Sequence, residues 1–434
     1  MTRYSYPVHG ALAIFAAGLI LLSPGVVRAS PPTAAPPPVS YTIQPIVKLG
    51  DAVADVMLAA DSDNGYLAIS GLSDSGQLAF VAANGDGSNG DMLLQYAGGK
   101  FTPIVVGGRD APGGKWPSAE AIYLGGGGPV LMNQRGNMAF AANETIGGKT
   151  VMGTYRWDFK AQQVTAIALD GMPAVNNLTF VQGATGAPVI NNSDEIAFPA
   201  TVMNAAKAEH GGIFLRGQDG QLQAVALPDQ VLPNGVKIQD ALQPDLNDAG
   251  AVAFVTASGN NNPDGAYLWE NGTIAPLAVA KQVIPGVGTI DSFFGALLNN
   301  QDHNVILDLY LASDPNNDGL FLLANGAWTP LVVPGQDMPG GGKLVHPGSI
   351  SGANKAGQRA FLGRLDDGTR SAYLLNADGT TSLVLRTGVA TPLGKVTNIG
   401  QPSPDISLND NGQIAVNVAF DGITTMIVLT PTAP

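Results

Sequence analysis

Residues 133–140 read NQRGNMAF, which is one copy of a phrase, Asn-x-x-Gly-x-x-Ala-Phe, that occurs seven times along the chain with few substitutions. Neighbouring copies lie 53–60 residues apart and start at residues 73, 133, 191, 247, 300, 354 and 409. A near-constant period of this length is typical of a repeat architecture. The phrase therefore indicates the fold class before any single element is assigned.

Each position of the phrase has a physical meaning. The Asn side chain can accept a hydrogen bond from the backbone two residues on, which caps a tight turn. Gly, replaced by Asp194 in the third copy and by His303 in the fifth, supplies the positive φ that closes a bulged hairpin. The aliphatic residue and Phe then share one face of the strand, and Ala lies on the other face. When sheets stack, the large side chains of one sheet therefore pack against the small Ala side chains of the next. Arg359 replaces the aliphatic residue in the sixth copy, which predicts a weaker contact there.

Each repeat contains four strand-like segments. In the fourth repeat they fall at residues 239–246, 251–257, 265–270 and 273–280. Four antiparallel strands per unit, repeated radially, define a β-propeller, whereas an immunoglobulin-like sandwich needs about 100 residues per domain. We therefore predict an all-β fold over residues 41–434, a seven-bladed β-propeller of four-stranded antiparallel blades.

The two ends of the chain complete one blade between them. The last repeat lacks a fourth strand after residues 425–429. Before the first repeat, PIVKLGD at residues 45–51 is similar to PIVVGGRD at residues 103–110, which is a fourth strand of the first repeat. We therefore expect residues 42–48 to complete the seventh blade. This N-terminal strand would close the ring and remove an open sheet edge.

The composition and the first residues indicate compartment and partners. Residues 1–29 have an Arg at position 3, an apolar run at residues 11–22 and small residues at positions 27 and 29, as a secretory signal does. Residues 30–40 form a Pro-rich linker. The net charge of −13 argues against nucleic acid and anionic membranes as partners. We expect an exported, extracellular or periplasmic monomer with no stable membrane span after cleavage; an uncleaved anchor is the alternative.

The tandem phrase behind a signal peptide resembles the bacterial exported "choice-of-anchor" tandem-repeat proteins, and the resemblance covers residues 41–434. It implies export and, often, a surface tether at a C-terminal sorting signal; it implies no established activity and no catalytic residues. The end of this chain, MIVLTPTAP at residues 426–434, carries no recognisable anchor signal. We therefore expect a freely soluble exported protein.

Motifs for catalysis are sparse, and one segment suggests a cation. The chain has no G-x-S-x-G, H-E-x-x-H or phosphate-loop motif. Asp314, Asn316 and Asp318 match the first half of a calcium loop, in which alternate oxygens face the ion. The acidic residue that closes such a loop is missing, so a solvated Asn/Asp-rich turn is the alternative. Calcium is the one cofactor that the sequence suggests.

A polar residue enters each innermost strand of the predicted ring. These residues are Asp63, Glu120, Gln182, Asp240, Asp291, His346 and Asn398. If the segments surround one mouth of a central channel, their carboxylates and the imidazole form an acidic funnel for a metal or for a cationic or polyhydroxyl ligand. The candidate binding residues are therefore Asp63, Glu120, Asp240, Asp291 and His346; the alternative is that entry loops are simply polar.

Two functions of different classes follow. The first is an exported, non-enzymatic binding or scaffold module for a glycan, a peptide or a cell-envelope protein. The alternative is a metal-dependent hydrolase or lyase, lactonase-like, with a metal at the channel mouth held by Asp63, Asp240 and Asp291. Paired acids on adjacent blades would favour the enzyme, and a mouth lined by Asn, Gly and aromatic residues would favour binding.

Overall fold

The seven repeats form seven antiparallel sheets, and the first strands of successive sheets contact one another around a common axis. The predicted seven-bladed all-β propeller is thus confirmed. The computed structural model describes residues 40–63, 65–85, 90–119, 121–122, 130–203, 209–257, 263–299, 304–400 and 405–432. The predicted signal peptide and all but the last residue of the linker lie outside these ranges.

Within a blade the strands follow one another in chain order, from the axis outward. Blades 1 to 3 consist of Leu67–Leu72, Leu78–Ala83, Asp91–Ala97 and Lys100–Val105; Val130–Met132, Met138–Ile146, Lys149–Asp158 and Gln163–Leu169; and Thr179–Gln182 with Val189–Ile190, Ile196–Met203, Glu209–Arg216 and Leu222–Ala226. Blades 4 to 6 consist of Asp240–Leu246, Val252–Ala257, Gly265–Glu270 and Thr273–Val279; Gly288–Leu298, Val305–Leu311, Asp314–Ala324 and Ala327–Val332; and Leu344–Ile350, Arg359–Leu365, Arg370–Leu375 and Thr381–Arg386.

Blade 7 closes the ring with both ends of the chain. It consists of Gly394–Ile399 with Ile406–Leu408, Ile414–Phe420, Ile423–Pro431 and the N-terminal strand Tyr41–Lys48. Tyr41 lies opposite Pro431 and Lys48 opposite Thr425, which confirms the predicted closure. The connections hold the short strands Ala52–Val53, Val56–Met57, Val283–Ile284 and Ala390–Thr391 and a 3-10 turn at Asp61–Asp63. In the part of the chain that the structure describes, no helix is long and apolar enough to cross a membrane.

The ring has two different faces. We call the face that carries the Asn-x-x-Gly turns, between the first and second strands, the turn face. The opposite face is the entry face, where the chain enters each innermost strand and where the second and third strands join. The antiparallel order of the strands places these two sets of connections at opposite ends of every blade.

The second strands pack as the phrase predicts. Ala79 of blade 1 belongs to the same buried cluster as Met138 and Phe140 of blade 2. Ala197 of blade 3 likewise belongs to the cluster of Phe254 in blade 4. The Ala face of one sheet therefore packs against the large side chains of the next sheet. Burial of each such aromatic side chain stabilises the fold by about 1.5–3 kcal/mol.

The turns have the predicted geometry. In blade 2, Asn133 Oδ1 accepts hydrogen bonds from the N–H groups of Arg135 (3.0 Å) and Asn137 (3.1 Å). Gly136 has a φ of 81°, and Asp194, at the same place in blade 3, has a φ of 63°. Asn therefore caps the turn and the fourth residue takes the left-handed conformation that favours Gly. His303, the other predicted substitute, lies outside the described residues.

The same asparagines join neighbouring blades. Asn133 Nδ2 donates to the carbonyl of Asn191, and Asn191 Nδ2 to that of Asn247, both at 3.0 Å. The bond that spans the closure runs from Asn409 Nδ2 to the carbonyl of Ser73 at 2.9 Å. We call these first residues of the phrase the asparagine ring; its described members are Ser73, Asn133, Asn191, Asn247, Asn354 and Asn409, all buried, and Asn300 lies outside the described residues.

A second set of bonds runs beside this ring. The backbone N–H of Gln134 donates to Asn192 Oδ1 at 2.9 Å, and that of Asn192 donates to Asp248 Oδ1 at 2.9 Å. The N–H of Asp410 in blade 7 donates to Asp74 Oδ1 in blade 1 at 2.7 Å. The turn face is therefore held together by hydrogen bonds that repeat from blade to blade.

Arg359 makes the contact between blades 5 and 6 polar; we call such a contact between neighbouring blades a seam. Its side chain is buried and donates hydrogen bonds to the carbonyls of Ser351 (3.0 Å) and of Leu298 in blade 5 (2.6 Å). The N–H of Leu298 in turn donates to Asp245 Oδ2 in blade 4 at 2.7 Å. Polar bonds thus link blades 4, 5 and 6 at the position where the sequence predicts only a weaker apolar contact.

Candidate functional site

The residues predicted at the channel mouth lie where the chain enters the innermost strands. Asp63 ends a 3-10 turn before blade 1, and Glu120 lies outside the described residues. The other five belong to the innermost strands Thr179–Gln182, Asp240–Leu246, Gly288–Leu298, Leu344–Ile350 and Gly394–Ile399. The entry face therefore carries these residues, although their contacts differ from the acidic funnel that we expect from the sequence.

The described carboxylates of the mouth contact separate partners. Asp240 Oδ1 accepts a hydrogen bond from the N–H of Gly211 at 2.7 Å and lies 3.8 Å from His210 Nδ1. Asp291 Oδ1 pairs with Lys281 Nζ at 3.0 Å. Among the described residues, no group of three His, Cys, Asp or Glu side chains could hold a metal ion. The described acidic side chains of the mouth therefore do not form one cluster.

The segment that the sequence predicts as a calcium loop is part of a strand in the structure. Asp314, Asn316 and Asp318 all belong to the strand Asp314–Ala324, and the turn that precedes it is at residues 312–313. Asp318 lies opposite Tyr310 in the hairpin. Only the two ends of the segment pair with the preceding strand, Asp314 with Leu311 and Asp318 with Tyr310, and the register shifts between them, so residues 315–317 form a bulge in the hairpin.

Asp318 instead belongs to a cluster of titratable groups between blades 5 and 6. Its carboxyl is hydrogen-bonded to the carboxyl of Asp308 on the neighbouring strand. Asp318 Oδ1 lies 3.6 Å from His346 Nδ1, and the same nitrogen lies 2.5 Å from the carbonyl oxygen of Pro347. Asp308 is buried, and its Oδ1 has no hydrogen-bond partner within the described part of the chain.

Burial changes the protonation of this cluster. It raises the pKa of Asp308 well above the usual aspartate range, and the charge and hydrogen bond of Asp318 raise it further. The pKa of Tyr310 rises to about 12, first through burial and then through these two carboxyls. Burial also raises the pKa of Asp318, while the hydrogen bond between the two carboxyls raises the pKa of Asp308 and lowers that of Asp318, so Asp308 is the more readily protonated of the pair.

His346 also lines a pocket on the entry face. The pocket has a volume of about 200 Å³ and lies where blades 6 and 7 meet. We call it the blade 6–7 pocket; it is lined by His346, Gly348, Leu362, Gly363, Arg364, Arg370 and Ile399. It therefore combines a partly apolar wall with three basic side chains, in a protein whose net charge is −13.

Two arginines form the polar end of this pocket. Arg364 in the second strand of blade 6 lies directly opposite Arg370 in the third strand. Arg364 is exposed, and burial together with the charge of Arg364 lowers the pKa of Arg370. Neither guanidinium forms an ion pair with a described acidic residue. The sequence gives little notice of this site, because its only sign is an arginine on each side of the turn LDDGT.

The fold and the pocket define the class of this protein as a seven-bladed propeller with a small basic pocket on its entry face. The chain belongs to a family described as Family of unknown function (DUF7453), whose model matches residues 132–426. A search of the curated proteins finds no match.

Solved structures share the fold at low identity. A puromycin-hydrolyzing peptidase of Mycobacterium tuberculosis has a TM-score of 0.53 and 13% identity, over 90% of this chain and 55% of the peptidase. An oligogalacturonate lyase in complex with manganese has a TM-score of 0.52 and 12% identity, over 91% of this chain and 98% of the lyase. A prolyl endopeptidase has a TM-score of 0.51 and 12% identity, over 85% of this chain and 48% of the enzyme. The chain thus spans about half of each peptidase, and these likenesses show the fold alone.

Proposed function

We propose that this protein is an exported, non-enzymatic binding module that holds part of a glycan, a peptide or an envelope protein in the blade 6–7 pocket. The signal-like residues 1–29 support export, and the repeated phrase supports the proposed kinship with the choice-of-anchor proteins. The other parts of the proposal rest on the pocket.

The blade 6–7 pocket is the observation that carries this proposal. Its walls combine an apolar side, Leu362 and Ile399, with a polar end, Arg364 and Arg370. Apolar walls with a few convergent polar groups are typical of small-ligand sites. A volume of about 200 Å³ suits one sugar ring or one side chain better than an extended substrate, which is the size of contact that a binding module uses at each site.

Ligand screening with mapping tests the proposal. Residues 30–434 are applied to glycan and peptide arrays, and hits are mapped by hydrogen exchange. We expect a hit to slow exchange in the strands Leu344–Ile350 and Arg359–Leu365, while the strand Met138–Ile146 on the far side of the ring keeps its rate. Hits that protect only the far side, or arrays without a hit, would contradict the proposal.

A hydrolase or lyase is the second candidate, and one observation favours it. The hydrogen-bonded Asp308 and Asp318 carboxyls lie beside His346, which lines the pocket, and such a group can exchange protons with a ligand. If turnover of any hydrolase or lyase substrate is found, Asp318→Asn should abolish it. Elemental analysis, with melting curves in calcium and in EGTA, tests the metal-dependent form; absence of both bound metal and a melting shift would remove that form.

A further inference from the structure

We propose that the blade 6–7 pocket binds an oxyanion of its ligand, such as a carboxylate, sulfate or phosphate group, through Arg364 and Arg370. The inference rests on the proposed function, because it names the chemical class of ligand for the same pocket. It differs from the cationic or neutral ligand that the acidic sequence favours.

The two arginines form an arrangement that folding alone does not favour. Arg364 and Arg370 are directly opposite each other at one end of a hairpin, and like charges in this position destabilise a sheet. Both nevertheless line the pocket. Two adjacent guanidiniums present forked N–H donors that match the oxygens of a carboxylate, sulfate or phosphate. An oxyanion between them would convert their repulsion into two charge-assisted contacts.

The acidic residues of the same hairpin cannot serve as that anion, because other groups use them. Asp366 Oδ1 accepts a hydrogen bond from the N–H of Lys343 at 2.9 Å. Asp367 Oδ2 pairs with Arg386 Nη2 at 2.6 Å, and Asp367 Oδ1 accepts from the Thr369 hydroxyl at 2.6 Å. Both carboxylates are thereby held away from the two pocket arginines.

Several other cations of the described surface have acidic partners. Ion pairs join Arg109 to Asp55, Lys115 to Asp110, Arg135 to Asp194, Lys237 to Asp229, Lys281 to Asp291 and Lys343 to Asp337. A chain with more acids than bases can neutralise its arginines, and in blade 6 it does so for Arg386. The pocket pair is left available in a place where a small ligand fits.

The carboxyl cluster beside His346 lies outside the lining of the pocket. Burial raises the pKa of both Asp308 and Asp318, which disfavours two negative charges beside His346. The remaining charge lies against the imidazole. An anion at the arginine end therefore meets little repulsion from this cluster.

Titration calorimetry with matched sugars tests the inference. The protein is residues 30–434, and the probes are D-glucuronate, D-glucose, sodium sulfate and sodium phosphate at low ionic strength. Glucuronate and glucose share a ring and differ in the carboxylate. We expect at least one oxyanion probe to bind, glucose to bind at least tenfold more weakly than glucuronate if the carboxylate is the source, and Arg364→Gln with Arg370→Gln to weaken binding by about 100-fold.

The variants separate this inference from the proposed function. Lys100→Gln with Lys149→Gln removes the same charge from exposed positions in blades 1 and 2 and should leave binding unchanged, and melting curves establish that both double variants fold. Binding of sulfate or phosphate without glucuronate would support the inference and identify the source. If no oxyanion probe binds, or if the two double variants weaken binding equally, the inference is overturned. A neutral array hit in the same pocket would then still support the proposed function.

Discussion

The turn face and the entry face are built from the same seven blades, yet their polar groups are used in opposite ways. On the turn face, each described asparagine of the ring caps its own turn and donates to the next blade, as Asn191 does to the carbonyl of Asn247. On the entry face, Arg364 and Arg370 are placed side by side without an acidic partner among the described residues. The asparagine arrangement repeats from blade to blade, whereas the arginine pair is a feature of blade 6.

This difference separates the residues that hold the fold from those that we propose bind a ligand. A hydrogen bond that recurs from blade to blade stabilises the ring, because it joins each blade to its neighbour. A polar group left unsatisfied in one blade costs stability and persists at sites that interact with something else. The comparison therefore predicts that substitutions on the turn face destabilise the protein and that some on the entry face stabilise it.

Asn409→Ala should have the largest effect, because it opens the seam where the ring closes. Asn409 is fully buried, accepts from the N–H groups of Asn411 and Gln413, and donates to the carbonyl of Ser73. We expect a loss of about 3–5 kcal/mol in the free energy of unfolding, measured by urea denaturation. Asn411→Ala removes an exposed side chain whose Nδ2 donates to the carbonyl of Asp74 at 2.8 Å, and this solvent-exposed bond should cost less than about 1 kcal/mol. Equal losses in the two variants would contradict the role that we assign to the buried asparagine.

Asp308→Asn should change how stability depends on pH. Because folding raises the pKa of Asp308, the unfolded chain binds fewer protons than the native state above the usual aspartate range. The free energy of unfolding of the wild type therefore falls as pH rises from about 4, by at most about 1.4 kcal/mol per pH unit from this group. The variant, which has no carboxyl to titrate at this position, should be less sensitive to pH above about 4. The comparison is made by urea denaturation at several pH values.

Asp291→Asn is the control for that measurement, because Asp291 is paired with Lys281 at a more exposed position. We expect the pH slope to change more in Asp308→Asn than in Asp291→Asn. An unchanged pH slope in Asp308→Asn would mean that the carboxyl is ionised in the folded protein.

Ser73→Asn should stabilise the turn face, because it supplies the amide that the asparagine ring lacks at this position. Ser73 is the member that has no amide to donate, although its hydroxyl still accepts from the N–H of Gln77 at 3.0 Å. An Asn here can reach the carbonyl of Asn133, which should add about 0.5–1.5 kcal/mol to the free energy of unfolding. Ser75→Asn, at an exposed position of the same turn, should add nothing. Destabilisation by Ser73→Asn would show that the seam between blades 1 and 2 is built differently.

Arg370→Gln should have the smallest effect and the opposite sign from Asn409→Ala. Removal of one charge from the cross-strand pair with Arg364 should raise the free energy of unfolding by about 0.2–1 kcal/mol in a ligand-free protein. Arg386→Gln in the same blade is the matched control, because it breaks the ion pair with Asp367 and should not stabilise. A loss of stability in Arg370→Gln would place this arginine among the residues that hold the fold.

The sequence predicts the fold well because the phrase combines local and long-range information. Its Asn and Gly determine the turn, and its alternating aliphatic residue, Ala and Phe determine how sheets stack. The similarity between residues 45–51 and 103–110 predicts the closing strand. The bonds between blades could not be predicted, because the amide donor of Asn133 finds the carbonyl of Asn191 only after 58 residues of chain have returned to the axis.

The site was harder to predict for a related reason. The sequence brings attention to His346 and Asp318 separately, whereas their contact depends on how blade 5 meets blade 6. Asp308 has a usable signal, a charged residue inside the apolar strand VILDLYL. Arg364 and Arg370 have almost none, since charged residues beside a turn are usually solvated. What distinguishes them is that they lie opposite each other and line one pocket without a described acidic partner, which only the three-dimensional arrangement shows.

The most direct test is a crystal structure of residues 30–434 grown with D-glucuronate, since it examines both faces in one experiment. We predict the asparagine ring on the turn face and, on the entry face, the sugar carboxylate between the guanidiniums of Arg364 and Arg370. A sugar bound at the turn face, or an empty pocket with both arginines paired to acidic residues of the protein, would contradict the separation of fold-holding and ligand-binding faces.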